Sequence, residues 1–421
     1  MERSPGRPPF PRIPGPARGA RREAEPFRRR IRAWISANAP AGAGGSPLWE
    51  RTLLDAGLVC PMWPRRYGGA GLTLRETLVL EEECARAGVP RIGRGAGEHV
   101  IGPTVLAHGT AEQKARLLPA ILAGDDRYCR AYSEPGHGSD LASVRTRGAV
   151  DGGTVVVTGR KSWVDGARSA TVMLVLCRTD PEAPRHRGLS CVLVRLDGGD
   201  GVERRPVRGA DGAHDLCEVL LDGARAPLRD VIGGVGGGWR TVLTALAHER
   251  ASRMTGRPGL EAGFWDLVEA ARKSGRTRDP LVRSRLAEAY TRMSLVRRTA
   301  ERLAERTGAA TDPGPEAALV NLLGAEYHRW FGELALDVVG APALVRPDGD
   351  GYRTDRRQGA FLSGRAATID AGTGEVLRDV IAERILGLPR DPAARAAVGG
   401  RRPGPDGPAE GRSPSLPAPR I

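Results

Sequence analysis

The sequence predicts an α+β fold in the order helices, sheet, helices, and three observations carry that prediction. Helical periodicity runs from about Ala24 to Gly124. From about Tyr128 to Gly234 it gives way to short β-branched runs cut by glycines, and from Trp239 onward long helical patterns return. Strands gathered in one stretch, rather than alternating with helices, argue against a doubly wound parallel sheet and for an antiparallel β domain of about 100 residues set between helical ones. At 421 residues the chain is too long for one hydrophobic core. The expected organisation is a tail over 1–23, a helical domain over 24–127, a β domain over 128–234, a helical domain over 235–390 and a second tail over 391–421.

In the first domain, helices are expected over 24–38, 47–57, 74–87 and 99–108. A fifth starts at the N-cap Thr110 and stops at Gly124, with Leu117, Leu118, Ile121 and Leu122 as its apolar stripe. In the second, an Asp151-Gly-Gly turn precedes a strand over 154–158, and further strands fall over 170–178, 189–196 and 217–221. In the third, helices are expected over 239–273, 279–307, 315–339 and 374–386, broken at 275–280 and 308–315. The stretch 340–363, rich in Gly, Asp and Arg, reads as a long irregular loop and a candidate binding segment.

The formal charge of +14 and the pI near 10.3 raise a nucleic-acid or membrane partner, and the placement of the charge argues against both. Residues 1–32 carry ten Arg and three Glu, residues 390–421 six Arg and three acids, and the body between them is only +4. Both ends are Pro-, Gly- and Arg-rich, a composition that buries too little apolar surface to offset chain entropy, so disorder is expected there. Neither end shows the apolar stretch of a secretory signal, and the longest clean apolar run, 172–177, is far short of the ~20 residues that span a bilayer. The six cysteines form no C-x-x-C pair and have no His at metal-ligand spacing, so they read as small buried residues in a reducing cytoplasm.

Ser133-Glu-Pro-Gly-His-Gly-Ser-Asp140 stands where helices give way to strands, and its glycines and proline favour tight turns that bring backbone N–H groups close to a ligand. Downstream come Gly159-Arg-Lys-Ser-Trp163, Glu249-Arg250, Ile369-Asp-Ala-Gly-Thr373 and the run from Glu375 to Arg384. Trp63-Pro-x-x-Tyr67-Gly-Gly and His108-Gly-Thr-x-x-Gln113 precede them in register. In this order, over about residues 24–390, the segments resemble the acyl-CoA dehydrogenase family, whose signatures include the Ser-Glu-Pro-Gly-x-Gly-Ser-Asp loop, the Gly-x-Lys-x-Trp strand and the Gly-Thr-x-Glu-x-x-Arg helix.

The resemblance implies a helical N-terminal domain, a middle β domain and a C-terminal four-helix bundle, with FAD between the β domain and the bundle and a second subunit, in a homo-oligomer or a heteromer, completing its site. It implies α,β-dehydrogenation of an acyl thioester, carried by CoA or a carrier protein: a carboxylate takes the α-proton, the β-hydrogen passes as hydride to the flavin, and an electron-transfer flavoprotein accepts the electrons. An α-proton beside a thioester is weakly acidic, so the reaction needs donors at the enolate oxygen and a desolvated base. The family's frequent base position, just before Gly-Thr, is Ala371 here. A second subset of the family carries the base at the position of Glu249, which is the expected base; Asp370 is the weaker candidate, one residue displaced and shorter.

By the same resemblance the Ala371 backbone N–H donates to the thioester oxygen. Ser133, Trp163, Gly372 and Thr373 contact the flavin, and Ser139 and Arg250 serve the substrate. Three departures stand out. Asp165 replaces the usual Ser or Thr near flavin N5, where an ionised carboxylate would oppose flavin reduction by about 1–4 kcal/mol at an effective dielectric of 20–80 and a protonated one would donate instead. His137 replaces a small residue, and the Arg-x-x-Phe-Gly segment that grips the FAD pyrophosphate in relatives is not recognisable near 271–278. The readings are therefore a competent FAD-dependent dehydrogenase, a catalytically incomplete paralogue acting as the structural subunit of a heteromer, or a flavin-dependent tailoring enzyme of the N-hydroxylase kind.

Overall fold

The computed structural model describes residues 18–40, 46–198, 200–212, 215–252, 257–307, 314–345 and 355–389. The expected disorder of the tails concerns residues that lie, for 1–17 and 391–421, outside the described ones, and it is corrected at 18–23, which belong to the first helix, Arg18–Asn38.

Five helices open the fold: α1 (Arg18–Asn38), α2 (Pro47–Asp55), α3 (Leu74–Ala87), α4 (Gly102–His108) and α5 (Ala111–Ala123). Capping boxes start α3 at Thr73/Glu76 and α5 at Thr110/Gln113, and left-handed glycines, Gly88 and Gly124, end them. Glu83 on α3 takes Arg28 and Arg32 of α1 and Arg86 of its own helix, which clamps α1 to α3. The helix expected over 99–108 is a π-helical turn, Gly97–Ile101, running into α4. Gln113 reaches out of its capping box to the carbonyls of Arg229 and Val231 at 2.8 and 3.0 Å, and so fastens α5 to the sheet.

The sheet has eight strands: β1 (Tyr128–Ala131), β2 (Arg147–Asp151), β3 (Thr154–Asp165), β4 (Val172–Arg178), β5 (Leu189–Arg195), β6 (Val202–Val207), β7 (Leu216–Pro227) and β8 (Val231–Ile232). Its order is β6-β7-β3-β2-β4-β5-β8, with β1 also on β4. The long pairings are antiparallel, but β1 runs parallel to β4 and a single parallel bridge joins β2 to β4. The apolar run of β4 is continuous because both of its faces are covered. Leu174 and Leu176 join the core shared with the N-terminal helices, while Met173, Val175 and Cys177 join a second core closed over by β3 and β7. All six cysteines are buried and free, and burial raises their thiols, most strongly Cys60 and Cys191.

The C-terminal region comprises α6 (Gly238–Ser252), α7 (Arg257–Lys273), α8 (Pro280–Thr307), α9 (Ala317–Val339), α10 (Arg356–Ala366) and α11 (Gly374–Val380). Phe264, Leu267, Leu286, Met293, Tyr327 and Leu334 form the core of α7, α8 and α9. Two expectations are corrected. The single helix expected over 239–273 is two, α6 and α7, with 253–256 outside the described residues. The irregular loop expected over 340–363 contains most of α10, started by an Asp355/Gln358 capping box and packed on α9 where Gly332 and Gly364 let the backbones approach. Gly238 at the start of α6 lies so close to β5 that a Cβ there would come within 2.5 Å of the Ser190 backbone.

Candidate functional site

β1 ends in the loop Ser133–Asp140, and the structure explains why that loop carries a glutamate. Glu134 accepts from Arg145 N at 2.7 Å, Thr146 N at 2.8 Å, Thr146 Oγ1 at 2.6 Å and Lys161 Nζ at 2.9 Å. Lys161 is fully buried and also donates to the Tyr132 carbonyl at 2.9 Å. Burial alone would raise the Glu134 carboxyl, but Lys161, Thr146 and the two backbone donors hold it below its ordinary range. Every charge in this pair is satisfied, so it is a scaffold: it ties the loop to β3, where Ser162 N also donates to the Ser133 carbonyl at 3.0 Å.

Beyond Lys161 the β3–β7 register slips, and at that irregularity Trp163 adopts a left-handed backbone, φ +59°, with its indole 65 % exposed. A bulky residue held at positive φ costs about 1–3 kcal/mol and marks a site that the surroundings over-determine. The only other described non-glycine residues at positive φ are Arg185 (+31°) and Ala371 (+58°). Ala371 is followed by Gly372 at φ +114°, which glycine tolerates, and then by Thr373, whose hydroxyl caps α11 by accepting from Val376 N at 3.3 Å.

Arg250 on α6 donates to the Ala371 carbonyl at 3.0 Å, fixing the strained turn to the helix that carries Glu249. Burial pushes the Arg250 guanidinium below its ordinary value, opposed by Glu249. The Ala371 amide itself donates to no described residue. Glu249 is 5 % exposed, and Arg130 of β1 grips both of its oxygens, Nε to Oε2 at 2.8 Å and Nη2 to Oε1 at 2.5 Å. Burial lowers the Arg130 guanidinium, but the Glu249 charge more than offsets that and holds it well above its ordinary range.

Hydrogen bonds from Arg250 to Ala371, from Arg130 to Glu249 and from Ser162 to Ser133, together with neighbours along the chain, therefore link Ala371, Arg250, Glu249, Arg130, Tyr132, Ser133, Ser162 and Trp163. Four expected positions stand apart from them. Ser139 is exposed beside Asp140, which pairs with Arg185. His137 is half-buried and closes the loop through its backbone against Glu134. Asp165 is exposed at the end of β3, opposite Leu216, and Asp370 is exposed, although its charge reaches Arg130. Sequence reading passed over Arg130 and Tyr132. The available signal was an arginine alternating with buried Cys129 and Ala131 in a short strand.

These residues fit a flat, hydrogen-bonding cofactor of the flavin kind. A strained, exposed indole offers an aromatic face, and the buried Ser162 Oγ and Tyr132 hydroxyl have no hydrogen-bond partner among the described residues. Among the described residues no cluster of His, Cys, Asp and Glu could hold a metal ion, and no helix is long and apolar enough to cross a membrane.

Comparison with known proteins matches three consecutive descriptions: acyl-CoA dehydrogenase N-terminal domain over residues 20–125, middle domain over 129–224 and C-terminal domain over 236–386. The acyl-CoA dehydrogenase IpdE1 of Mycobacterium tuberculosis is 39 % identical over 386 residues, covering 88 % of this chain and 99 % of that one. FadE34 of the same organism is 36 % identical over 342 residues, covering 80 % of this chain and 46 % of that one. Among solved structures, the Tcur3481-Tcur3483 steroid ACAD aligns at TM-score 0.74 and 31 % identity over 88 % of this chain and 98 % of that one. The ChsE4-ChsE5 complex of M. tuberculosis aligns at TM-score 0.71 and 27 % identity over 90 % of this chain and all of that one.

Proposed function

The chain belongs to the acyl-CoA dehydrogenase family, and on that premise we propose that it catalyses α,β-dehydrogenation of an acyl thioester with Glu249 as the base. One observation carries the reading. The adjacent residues Glu249 and Arg250 set a buried carboxylate and, through the 3.0 Å bond to the Ala371 carbonyl, a turn whose Ala371 amide is free to donate. A base on one helix and an oxyanion donor in a turn that the next residue of that helix anchors are what α-proton removal beside a thioester requires.

FAD, when bound, supplies the two-electron acceptor. Trp163 would cover one face of it, Ser133 and Thr373 would lend hydroxyls, and Gly372 would let the backbone approach. Ala371 N–H steadies the charge that grows on the thioester oxygen while Glu249 takes the α-proton, and the surrounding apolar core excludes water from that proton. Asp370 is a poorer base because it is exposed. Ser139, out on the loop, suits the thioester's polar arm rather than its acyl end. An electron-transfer flavoprotein is the proposed acceptor. The solved relative known as a steroid ACAD makes a steroid-derived acyl thioester the first substrate class to test.

The test is incubation of the FAD-loaded protein with a panel of acyl-CoA esters and an artificial electron acceptor, read by mass spectrometry. The expected product is lighter by two hydrogens, and its absence across straight-chain, branched and steroid-derived esters overturns the proposal. A second reading, a heteromer with a paralogous chain, is favoured by the two chains that the names of both solved relatives pair, Tcur3481-Tcur3483 and ChsE4-ChsE5. A colourless homo-oligomer that takes up flavin only when such a chain is co-expressed supports it; flavin bound at full stoichiometry by this chain alone rejects it.

A further inference from the structure

Tyr132 follows the last residue of β1 and, like Tyr128, belongs to the core shared with the N-terminal helices, where Val242 and Ala245 of α6 also lie; Cys129 and Ala131, alternating with them, enter the other core. The residue is 7 % exposed, and its hydroxyl is buried with no hydrogen-bond partner among the described residues. Its backbone carbonyl, by contrast, accepts from Lys161. A buried hydroxyl without a partner costs free energy unless something that enters the site supplies one. The charges of Glu249 and Arg130 both reach the phenol, so it stands near that pair.

Arg130 also has donors to spare. Its Nε and Nη2 are spent on Glu249, its Nη1 donates to no described residue, and its side chain is 18 % exposed. A neutral and a cationic donor thus stand two residues apart on one side of one strand, about 7 Å along the chain, in a core that is otherwise built from side chains such as Leu174, Leu176 and Leu189. A plain hydrocarbon chain would leave both donors unmet, whereas an oxygen on the acyl skeleton would satisfy them. Charge narrows the choice of oxygen. Arg130 already faces Glu249, and the charge of Asp370 reaches it too, so a carboxylate on the substrate would add another anion, while a hydroxyl or ketone brings an acceptor and no charge. Burial pushes the Tyr132 phenol well above its ordinary value, which keeps it a neutral donor.

We propose that Tyr132 is a specificity-determining residue: its hydroxyl donates to a neutral oxygen, a hydroxyl or ketone, on the acyl skeleton, and the site takes an oxygenated acyl thioester in preference to the plain hydrocarbon one. A site that holds a donor for a substrate oxygen discriminates against the analogue lacking it, because the donor is then left buried and unmet. The inference rests on the reading of the site as one for an acyl thioester and is independent of which residue is the base.

The experiment uses the full-length FAD-loaded protein, or its heteromer, as wild type and Tyr132→Phe. The probes are alicyclic acyl-CoA esters with a ring hydroxyl or ketone at successive positions, the parent ester without that oxygen, and a ring-carboxylated counterpart. Turnover is read as kcat/KM with an artificial acceptor, and binding by calorimetry on protein whose flavin has been reduced beforehand, so that no turnover follows. Wild type should bind at least one oxygenated ester about 5- to 100-fold more tightly than the parent, with the carboxylated ester ranked below it. Tyr132→Phe should lose that preference through weaker binding of the oxygenated ester, and its melting temperature should match or exceed that of wild type because no internal bond is lost. The proposal is overturned if wild type prefers no neutral oxygenated ester or prefers the carboxylated one, or if the preference survives in folded Tyr132→Phe. It is overturned as well by an equal loss on every ester together with weaker FAD binding, which would assign the hydroxyl to the flavin. If wild type turns over none of the esters yet binds them with a preference that Tyr132→Phe abolishes, the dehydrogenase reading falls and the recognition stands, and the two failures are told apart.

Discussion

Replacing Lys161 with Met should expose how the loop beneath the site is held. Met keeps most of the buried stem and removes the ammonium, which is fully buried and makes two 2.9 Å bonds, to Glu134 Oε1 and to the Tyr132 carbonyl. Breaking a buried ion pair from one side typically costs about 3–5 kcal/mol, because the other charge stays buried. Glu134 retains Arg145 N, Thr146 N and Thr146 Oγ1 as donors, which puts the expected loss at the low end, about 3 kcal/mol. For a cooperative unit of about 150–250 residues that is a fall in Tm of about 6–12 °C. Urea and thermal denaturation of wild type, Lys161→Met and Lys161→Met/Glu134→Gln measure it. The double variant, which strands no charge, should be more stable than the single one. A folded Lys161→Met within about 1 kcal/mol of wild type would refute the reasoning.

Other outcomes follow from the same geometry. Trp163→Gly relieves a left-handed tryptophan, and after the entropy cost of glycine it should be as stable as wild type or up to about 1 kcal/mol more so, yet lose bound flavin, as urea melts and absorbance would show. Gly238→Ala forces a methyl to within 2.5 Å of the Ser190 backbone; it should lose about 1–3 kcal/mol and slow flavin reduction by shifting the helix that carries Glu249. Glu83 is a test by pH. Burial would raise its carboxyl, but Arg32, Arg86 and Arg28 bring it down to about 2 from 4.5, so its contribution is full above 4.5 and is lost as pH falls toward 2. Tm followed over that window should fall more steeply in wild type than in Glu83→Gln, and parallel curves would count against the clamp.

Much of this arrangement was legible in the sequence where signals are local. Thr110 and Gly124 mark α5 because capping is decided within a few residues, and Trp163, Ala371 and Gly372 stand out because they lie in the family's motifs, whereas their positive φ shows only in the fold. The helix α10 was hidden by the Gly, Asp and Arg around it, although Asp355-x-x-Gln358 is a start signal. Short strands such as β1, β2 and β6 exist because neighbours pair with them, which no window of sequence records. The pairing of Arg130 with Glu249 spans 119 residues and two domains, so only the tertiary fold brings it to light. The expectation of an antiparallel sheet missed the parallel β1–β4 pairing for the same reason.

The central claim is that Glu249 removes the α-proton of an acyl thioester while Ala371 N–H supports the enolate oxygen. The most direct measurement is anaerobic stopped-flow reduction of the FAD-loaded protein, or of its heteromer, by a steroid-derived acyl-CoA, with wild type and Glu249→Gln side by side. The account predicts bleaching of the flavin in wild type and a rate lower by about 10²–10⁴-fold or more in Glu249→Gln, with ligand still bound. Equal rates in the two proteins would contradict it.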